Sequence, residues 1–320
     1  MTFDHLSAAI ARRGQSCNML VIGQENGVAV DFAGQVAIVT GAGRGLGRSH
    51  AHMLAARGAK LIINDLGQDA QLVANEIIAA GGEAIAHCAS VTDVAEMREM
   101  AARAMDQWGR IDVLINNAGI LRDKSFAKMD LDDFRLVLDV HLMGSVVPTQ
   151  AVWEVMRTQN YGRILMTTSG SGLFGNFGQA NYSAAKMGLV GLAKTLSLEG
   201  ARHDIRVNVL APVAATPMLA SVMPEELMRR FDPEDVSALA LYLVSRQGPQ
   251  GMICGAGGGA YHAAYMVLTE GVALPKAERT PEGVAAAFAR IRERRGESVP
   301  QSGSDQSALI LRKLEEIAER

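Results

Sequence analysis

"QVAIVTGAGRGLGRSH", residues 35–50, runs from a β-branched stretch through a glycine-rich turn into a helical pattern without a break. In that order, a buried strand points its carboxyl end at a loop whose glycines let a ligand approach the backbone. The helix that follows turns its free N–H groups and positive end to the same place. The stretch predicts that Gly41, Gly45 and Gly47 cradle a diphosphate. Loops of this composition are often plain turns, so the rest of the chain has to carry the reading further.

The same rhythm continues to residue 254. Short apolar runs at 36–40, 61–64, 84–88, 113–116, 164–168, 207–210 and 252–254 alternate with Ala/Leu/Met-rich helical stretches at 49–57, 70–80, 94–108 and 184–201. Apolar runs without a polar alternation fit parallel strands covered on both faces, which predicts a doubly wound α/β sheet between two helical layers. A chain of 320 residues fits one core of about 250 residues with appendages. We divide it into an extension (1–33), a main domain (34–275) and a helical tail (276–320). The extension carries one helix-like stretch at 6–13. In the tail, Thr280 and Pro281 suit an N-cap and first helical position, although Gly283 stands where a capping box would have Glu or Gln. That helix is expected to reach about Arg295. A polar linker over 296–307 then leads to an amphipathic helix, "ALILRKLEEIAER", that needs a surface to cover.

Composition narrows the function. A net charge of -3 gives no electrostatic case for nucleic acid, and no apolar run is long enough to span a membrane. Cys17, Cys88 and Cys254 show neither metal nor disulfide spacing, which fits a reducing compartment. The final Ala-Glu-Arg is not a peroxisomal tripeptide, so the cytoplasm is the expected location. A small-molecule substrate is the expected partner.

Two further signals surround the glycine turn. Asp65, in "LIINDLG" about twenty residues on, can accept hydrogen bonds from adenosine ribose hydroxyls and would repel a 2′-phosphate; Arg44 pulls the other way, and the balance favours NAD over NADP. The bland alternative for Asp65 is a helix N-cap. "NNAG", residues 116–119, sets two amides and a tight turn at the end of the fourth strand, where Asn116 and Asn117 either touch ligand or brace the loop.

"TTSGSGLFGNFGQANYSAAK", residues 167–186, carries the chemistry. Tyr182 and Lys186 are four apart in a helical pattern and share a face. A lysine ammonium about 4 Å from a phenolate contributes on the order of 4 kcal/mol, roughly three pKa units, which would bring Tyr182 near working pH as a general acid/base. Ser169, at the end of the fifth strand, can hold a substrate oxygen. The trio suits hydride transfer between a secondary alcohol or ketone and a nicotinamide. No G-x-S-x-G elbow supports a serine hydrolase, and scattered histidines without H-E-x-x-H give no metal site.

Together, TGxxxGxG at 40–47, the acid at 65, NNAG at 116–119 and Ser169, Tyr182 and Lys186 resemble the short-chain dehydrogenase/reductase family over about residues 34–256. The resemblance implies a seven-stranded Rossmann-type sheet, a homodimer or homotetramer, and a cofactor site. That site would comprise Gly41, Arg44, Gly45, Leu46, Gly47, Asp65, Ser90, Val91, Asn117, Ala118, Gly119, Tyr182, Lys186, Pro212 and Thr216. Where many members have a catalytic asparagine, this chain has His141 in "VHLMG". The stretches "GRIDVLINNAGILRDKSF" and "GNFGQANYSAAKMGLVGLAKTLSLEG" are similar, within the family, to the (3R)-hydroxyacyl-CoA dehydrogenases of peroxisomal multifunctional β-oxidation enzymes. The activity implied is NAD-dependent interconversion of a (3R)-hydroxyacyl-CoA and a 3-oxoacyl-CoA. A steroid or other bulky secondary alcohol, with Phe174 and Phe177 lining an apolar pocket, is the alternative substrate. A module that binds NAD without turnover is the alternative class.

Overall fold

The computed structural model describes residues 29–215 and 225–318. The helix expected at 6–13, Cys17 and Thr216 lie outside them.

Eight strands form one sheet: β1 (Val36–Thr40), β2 (Lys60–Asp65), β3 (Glu83–Cys88), β4 (Val113–Asn116), β5 (Gly162–Thr167), β6 (Ile205–Pro212), β7 (Ile253–Gly257) and β8 (Ala260–Ala264). Their order is β3-β2-β1-β4-β5-β6-β7-β8. The first seven are parallel and β8 is antiparallel to β7. Seven strands were expected. β8 escapes sequence reading because it is an exposed edge strand, "AYHAA", with no apolar run; Gly258 and Gly259, at φ +56° and +75°, turn the chain back onto β7.

The described helices are α1 (Gly45–Ala55), α2 (Asp69–Ala79), α3 (Val94–Trp108), α4 (Leu131–Leu138), α5 (Gly144–Gln159), α6 (Gly170–Phe174), α7 (Ala180–Gly200), α8 (Glu225–Met228), α9 (Pro233–Leu243), α10 (Pro281–Ile291) and α11 (Gly303–Ala318). β1 shows how they layer. Its residues are fully buried, yet Ala37 and Val39 pack with Leu54 of α1, Val73 of α2 and Val236 of α9, whereas Val36 and Ile38 pack with Met97 of α3, Met156 of α5 and Leu189 of α7. Alternate side chains feed opposite faces, which is why the run is uniformly apolar. Each fully buried Ile or Leu contributes about 1.5–3 kcal/mol.

In the tail, Thr280 Oγ1 accepts from Gly283 N at 3.1 Å, so the cap forms without the box. α10 ends four residues before Arg295. Arg290, Arg292, Arg294 and Arg295 would crowd one turn with like charge, and Arg294 turns to Glu297 instead (2.7 Å). α11 leaves Ile310, Leu311 and Leu314 exposed. Among the described residues no helix is long and apolar enough to cross a membrane.

The strand order reverses between β1 and β4: β2 and β3 continue to one side, β5 to β8 to the other. Ligands of open α/β sheets bind outside the carboxyl ends of the strands at such a reversal. The motifs named above all end there.

Candidate active site

A cleft of about 620 Å³ opens at that edge, and its lining runs from Gly41 and Asp65 at one end to His141, Tyr182 and Lys186 at the other. Arg44, Gly45, Leu46, Ser90, Val91, Asn117, Ala118, Gly119 and Pro212 line it as well. Of the expected cofactor residues, Gly47 stands just behind the wall.

The glycine turn is built for close approach. Gly41 and Gly45 take φ +61° and +55°, a region that side chains other than glycine's rarely enter. A Cβ on Gly47 would collide with Gly41 O and Asn117 Nδ2. Arg44 takes the N-cap position of α1, and no side chain caps that helix, so its first N–H groups face the cleft. Asp65 is not an N-cap; that position before α2 belongs to Gln68. Asp65 Oδ2 accepts from Gly43 N at 2.9 Å and Oδ1 from Leu66 N at 2.8 Å, which fixes the carboxylate at the end of β2 with lone pairs to spare.

The two asparagines brace. Asn117 Nδ2 donates to Thr40 O and Gly41 O, both at 3.1 Å, and so ties β4 to the glycine turn. Asn116 Nδ2 donates to Thr149 Oγ1 at 3.0 Å beneath the floor. Asn117 was expected among the cofactor residues; its amide N–H groups are spent on the two carbonyls.

At the other end, Ser169 caps α6, its Oγ accepting from Gly172 N at 3.0 Å. Lys186 is buried, and its Nζ donates to Thr167 O at 2.5 Å and lies 5.6 Å from the centre of the Tyr182 ring. Burial pushes the Lys186 ammonium down to about 7. Tyr182 is half-buried by area, yet enough protein surrounds it that burial raises its hydroxyl above the ordinary value; a hydrogen bond from Ser169 lowers it and the Asp123 carboxylate raises it further. The lysine was expected to depress the tyrosine. In this structure desolvation outweighs any such attraction, because both groups are taken out of water together.

His141 lies in a five-residue π-helical turn, Asp139–Met143, between α4 and α5. Its ring stands edge-on to Tyr182, centroids 5.1 Å apart. Burial, then the nearby Lys186 charge, lower it to about 3, so the ring is neutral. Nε2 sits 2.7 Å from Ile120 O and 3.1 Å from Ile120 N, while the buried Nδ1 has no partner among the described residues. A neutral ring with its proton on Nε2 donates to that carbonyl. The ring thereby holds the chain just after NNAG, and a Cβ on Gly119 would strike it.

No group of three or more His, Cys, Asp or Glu among the described residues could hold a metal ion. The sequence reading missed Gln179, which joins the two loops beside Tyr182, and Asp123, which it contacts. Both lie inside the stretches quoted for the resemblance, but neither belongs to the TGxxxGxG, NNAG or Ser-Tyr-Lys positions that mark the site.

A profile of the short chain dehydrogenase family matches residues 35–227. The peroxisomal hydratase-dehydrogenase-epimerase of Saccharomyces cerevisiae is 50% identical over 67% of this chain and 25% of its own length. The full-length peroxisomal multifunctional enzyme type 2 of Drosophila melanogaster superposes with a TM-score of 0.77 and 37% identity, over 90% of this chain and 51% of that one. A 7α-hydroxysteroid dehydrogenase solved with NADH and 7-oxo glycochenodeoxycholic acid superposes with a TM-score of 0.66 and 30% identity, over 72% and 95%. The chain thus spans a quarter to a half of the length of these two multifunctional relatives.

Proposed function

The chain belongs to the short-chain dehydrogenase family, and from that premise we propose that it is an NAD-dependent oxidoreductase that interconverts a (3R)-hydroxyacyl-CoA and its 3-oxoacyl-CoA. The observation that carries the reading is a cleft with Tyr182 and Lys186 at one end, Ser169 hydrogen-bonded to the tyrosine behind them, and the glycine turn and Asp65 at the other end. The family implies a nicotinamide cofactor, and the cradle fits one: uncapped N–H groups at α1, glycines where a Cβ would intrude, and a fixed carboxylate. Asp65 would repel a 2′-phosphate, which favours NAD.

Bound NAD supplies the hydride acceptor. Ser169 donates to the substrate oxygen and orients it. Tyr182 takes the hydroxyl proton on its phenolic oxygen, the proton transfer expected of a general base in reach of that oxygen. Its raised value leaves it protonated at neutral pH, so oxidation is favoured as the pH rises and reduction of the ketone at neutrality. Lys186, close to its own ionisation point at about 7, carries or releases a proton beside the tyrosine. His141 stays neutral and positions the 116–120 turn and the Tyr182 ring.

The acyl-CoA substrate rests on the likeness to the multifunctional enzymes; the steroid alternative draws on the 7α-hydroxysteroid dehydrogenase neighbour. The reaction is read at 340 nm with NAD and a panel of both enantiomers of 3-hydroxyacyl-CoAs, hydroxysteroids and simple secondary alcohols. Reduction of NAD with the (3R)-thioesters alone is expected. Turnover of a steroid with silence on the thioesters would replace the substrate, and silence throughout would leave a non-catalytic module. Tyr182→Phe should keep NAD binding and lose nearly all turnover.

A homodimer or homotetramer is the assembly we infer: Leu131 of α4 and Met187 and Leu198 of α7 are exposed apolar side chains on helices that pack against each other. Light scattering that gives a monomer at micromolar concentration would refute it. The cysteine pattern fits a reducing compartment, and the cytoplasm is the location we propose. The yeast and fly relatives carry "peroxisomal" in their names, and cell fractionation decides between the two compartments.

A further inference from the structure

Gln179 precedes α7 by one residue and Tyr182 by three, and its amide holds three side chains at once. Oε1 accepts from Ser171 Oγ at 2.7 Å and from Asn176 Nδ2 at 3.0 Å; Nε2 donates to Asp123 Oδ2 at 2.6 Å. An ionised carboxylate can only accept, so Asp123 fixes which end of the amide faces it. That turns Oε1 toward the 171–176 segment, which follows directly from Ser169. Two further bonds join the same pair of loops: Lys124 N donates to Gly178 O at 2.9 Å and Asn181 Nδ2 to Arg122 O at 3.0 Å. Asn181 Oδ1 in turn accepts from Tyr182 N at 2.7 Å. The network therefore begins two residues after the oxygen-holding serine, at Ser171, and ends at the backbone of the tyrosine.

Building on the proposed reaction, we infer that Gln179 is a positioning residue: its amide latches the Ser169 turn and the start of α7 to the 121–125 loop, so that Ser169 and Tyr182 meet one substrate oxygen together. Ser169 caps α6 and Tyr182 lies in α7, and the connecting segment has two glycines at positive φ, Gly175 at +78° and Gly178 at +82°. Such a link does not fix their relative placement by itself. Asp123 and Asn176 are exposed, and water competes for each of their bonds singly. Three bonds close the two loops on each other and two more tie Gln179 to its own segment, and they resist because none can open far without the others. The groups that face the tyrosine are Lys186 from α7, the neutral His141 from the π-helical turn, Ser169 at the cap of α6, and Asp123, the acid among them, from the 121–125 loop.

The test uses the full chain with Gln179→Met, which keeps length and removes the bonds, Asp123→Leu, and Asp123→Asn, which keeps an acceptor oxygen and removes the charge. Misplacing reacting groups by about 1 Å costs on the order of 100-fold in rate, so Gln179→Met and Asp123→Leu are expected to lose about 10- to 100-fold in kcat with the Kd for NAD unchanged. Asp123→Asn should recover much of the loss of Asp123→Leu. It should also move the Tyr182 ionisation to lower pH, read as tyrosinate absorbance at 295 nm against the same background carrying Tyr182→Phe. A Gln179→Met enzyme with kcat within about twofold of the parent overturns the latch. So does a rate loss that comes with equally weakened NAD binding, the mark of a merely structural role. Should the parent turn over none of the alcohols, the reaction proposed above fails separately, and the titration still decides: an Asp123→Asn chain whose Tyr182 ionises where the parent's does overturns the inference.

Discussion

Lys186→Met should make the protein more stable while abolishing its proposed activity, and the gain should fade with pH. Burial lowers Lys186 from 10.5 to about 7 in the folded chain. At about 1.36 kcal/mol per pKa unit, keeping the ammonium inside costs the fold about 5 kcal/mol at any pH below about 7. The unfolded chain holds the proton up to about 10.5, so between the two values the unfolded state binds more protons and stability rises with pH. At pH 9 the penalty is down to about 2 kcal/mol, and it vanishes above about 10.5. Methionine has no such penalty. It forfeits the hydrogen bond from Nζ to Thr167 O, a charged donor worth about 1.5–3 kcal/mol. The net expectation at pH 6 is a gain of about 2–3 kcal/mol in urea unfolding, shrinking to nothing or to a small loss by pH 9. A Lys186→Met chain that is less stable than the parent at pH 6, or a difference that does not change with pH, would refute the claim that this lysine is held uphill in the fold for its chemistry.

Gly119→Ala sets a methyl group against the His141 ring and should cost about 1–3 kcal/mol by urea unfolding and lower kcat as the ring shifts against Tyr182; an unchanged midpoint would show that the ring moves freely. His141→Leu removes the bond to Ile120 without changing any group that titrates near neutrality, so kcat should fall at every pH and the pH profile keep its shape. A shifted profile would give His141 a proton-carrying role. Asp65→Ser should relax the proposed preference for NAD by removing the carboxylate that Gly43 N and Leu66 N hold in place; kcat/KM for NADP that stays unchanged from the parent would place any discrimination elsewhere.

The sheet was legible in the chain because buried parallel strands must be apolar throughout. The runs at 36–40 and 113–116 and the helix at 94–108 have the same limits in the structure, and the order of elements follows from their alternation. The ends of the candidate site are marked by local patterns as well: glycines at a strand–helix junction, an acid at the end of the second strand, and a tyrosine and lysine one helical turn apart. What only the tertiary structure decided depends on partners distant in sequence. Asn117 is a brace because Thr40 and Gly41, nearly eighty residues earlier, present carbonyls to its amide. His141 holds a loop because Ile120 lies within reach of its ring. Tyr182 is pushed up rather than down because the packing of several elements strips its water, a sum that no spacing within one helix contains. Gln179 carries no motif, and its three partners come together only when two loops fold against each other. Local order follows from residue type and period; the electrostatics and the bracing of the site follow from proximity, which is fixed only once the whole core has closed.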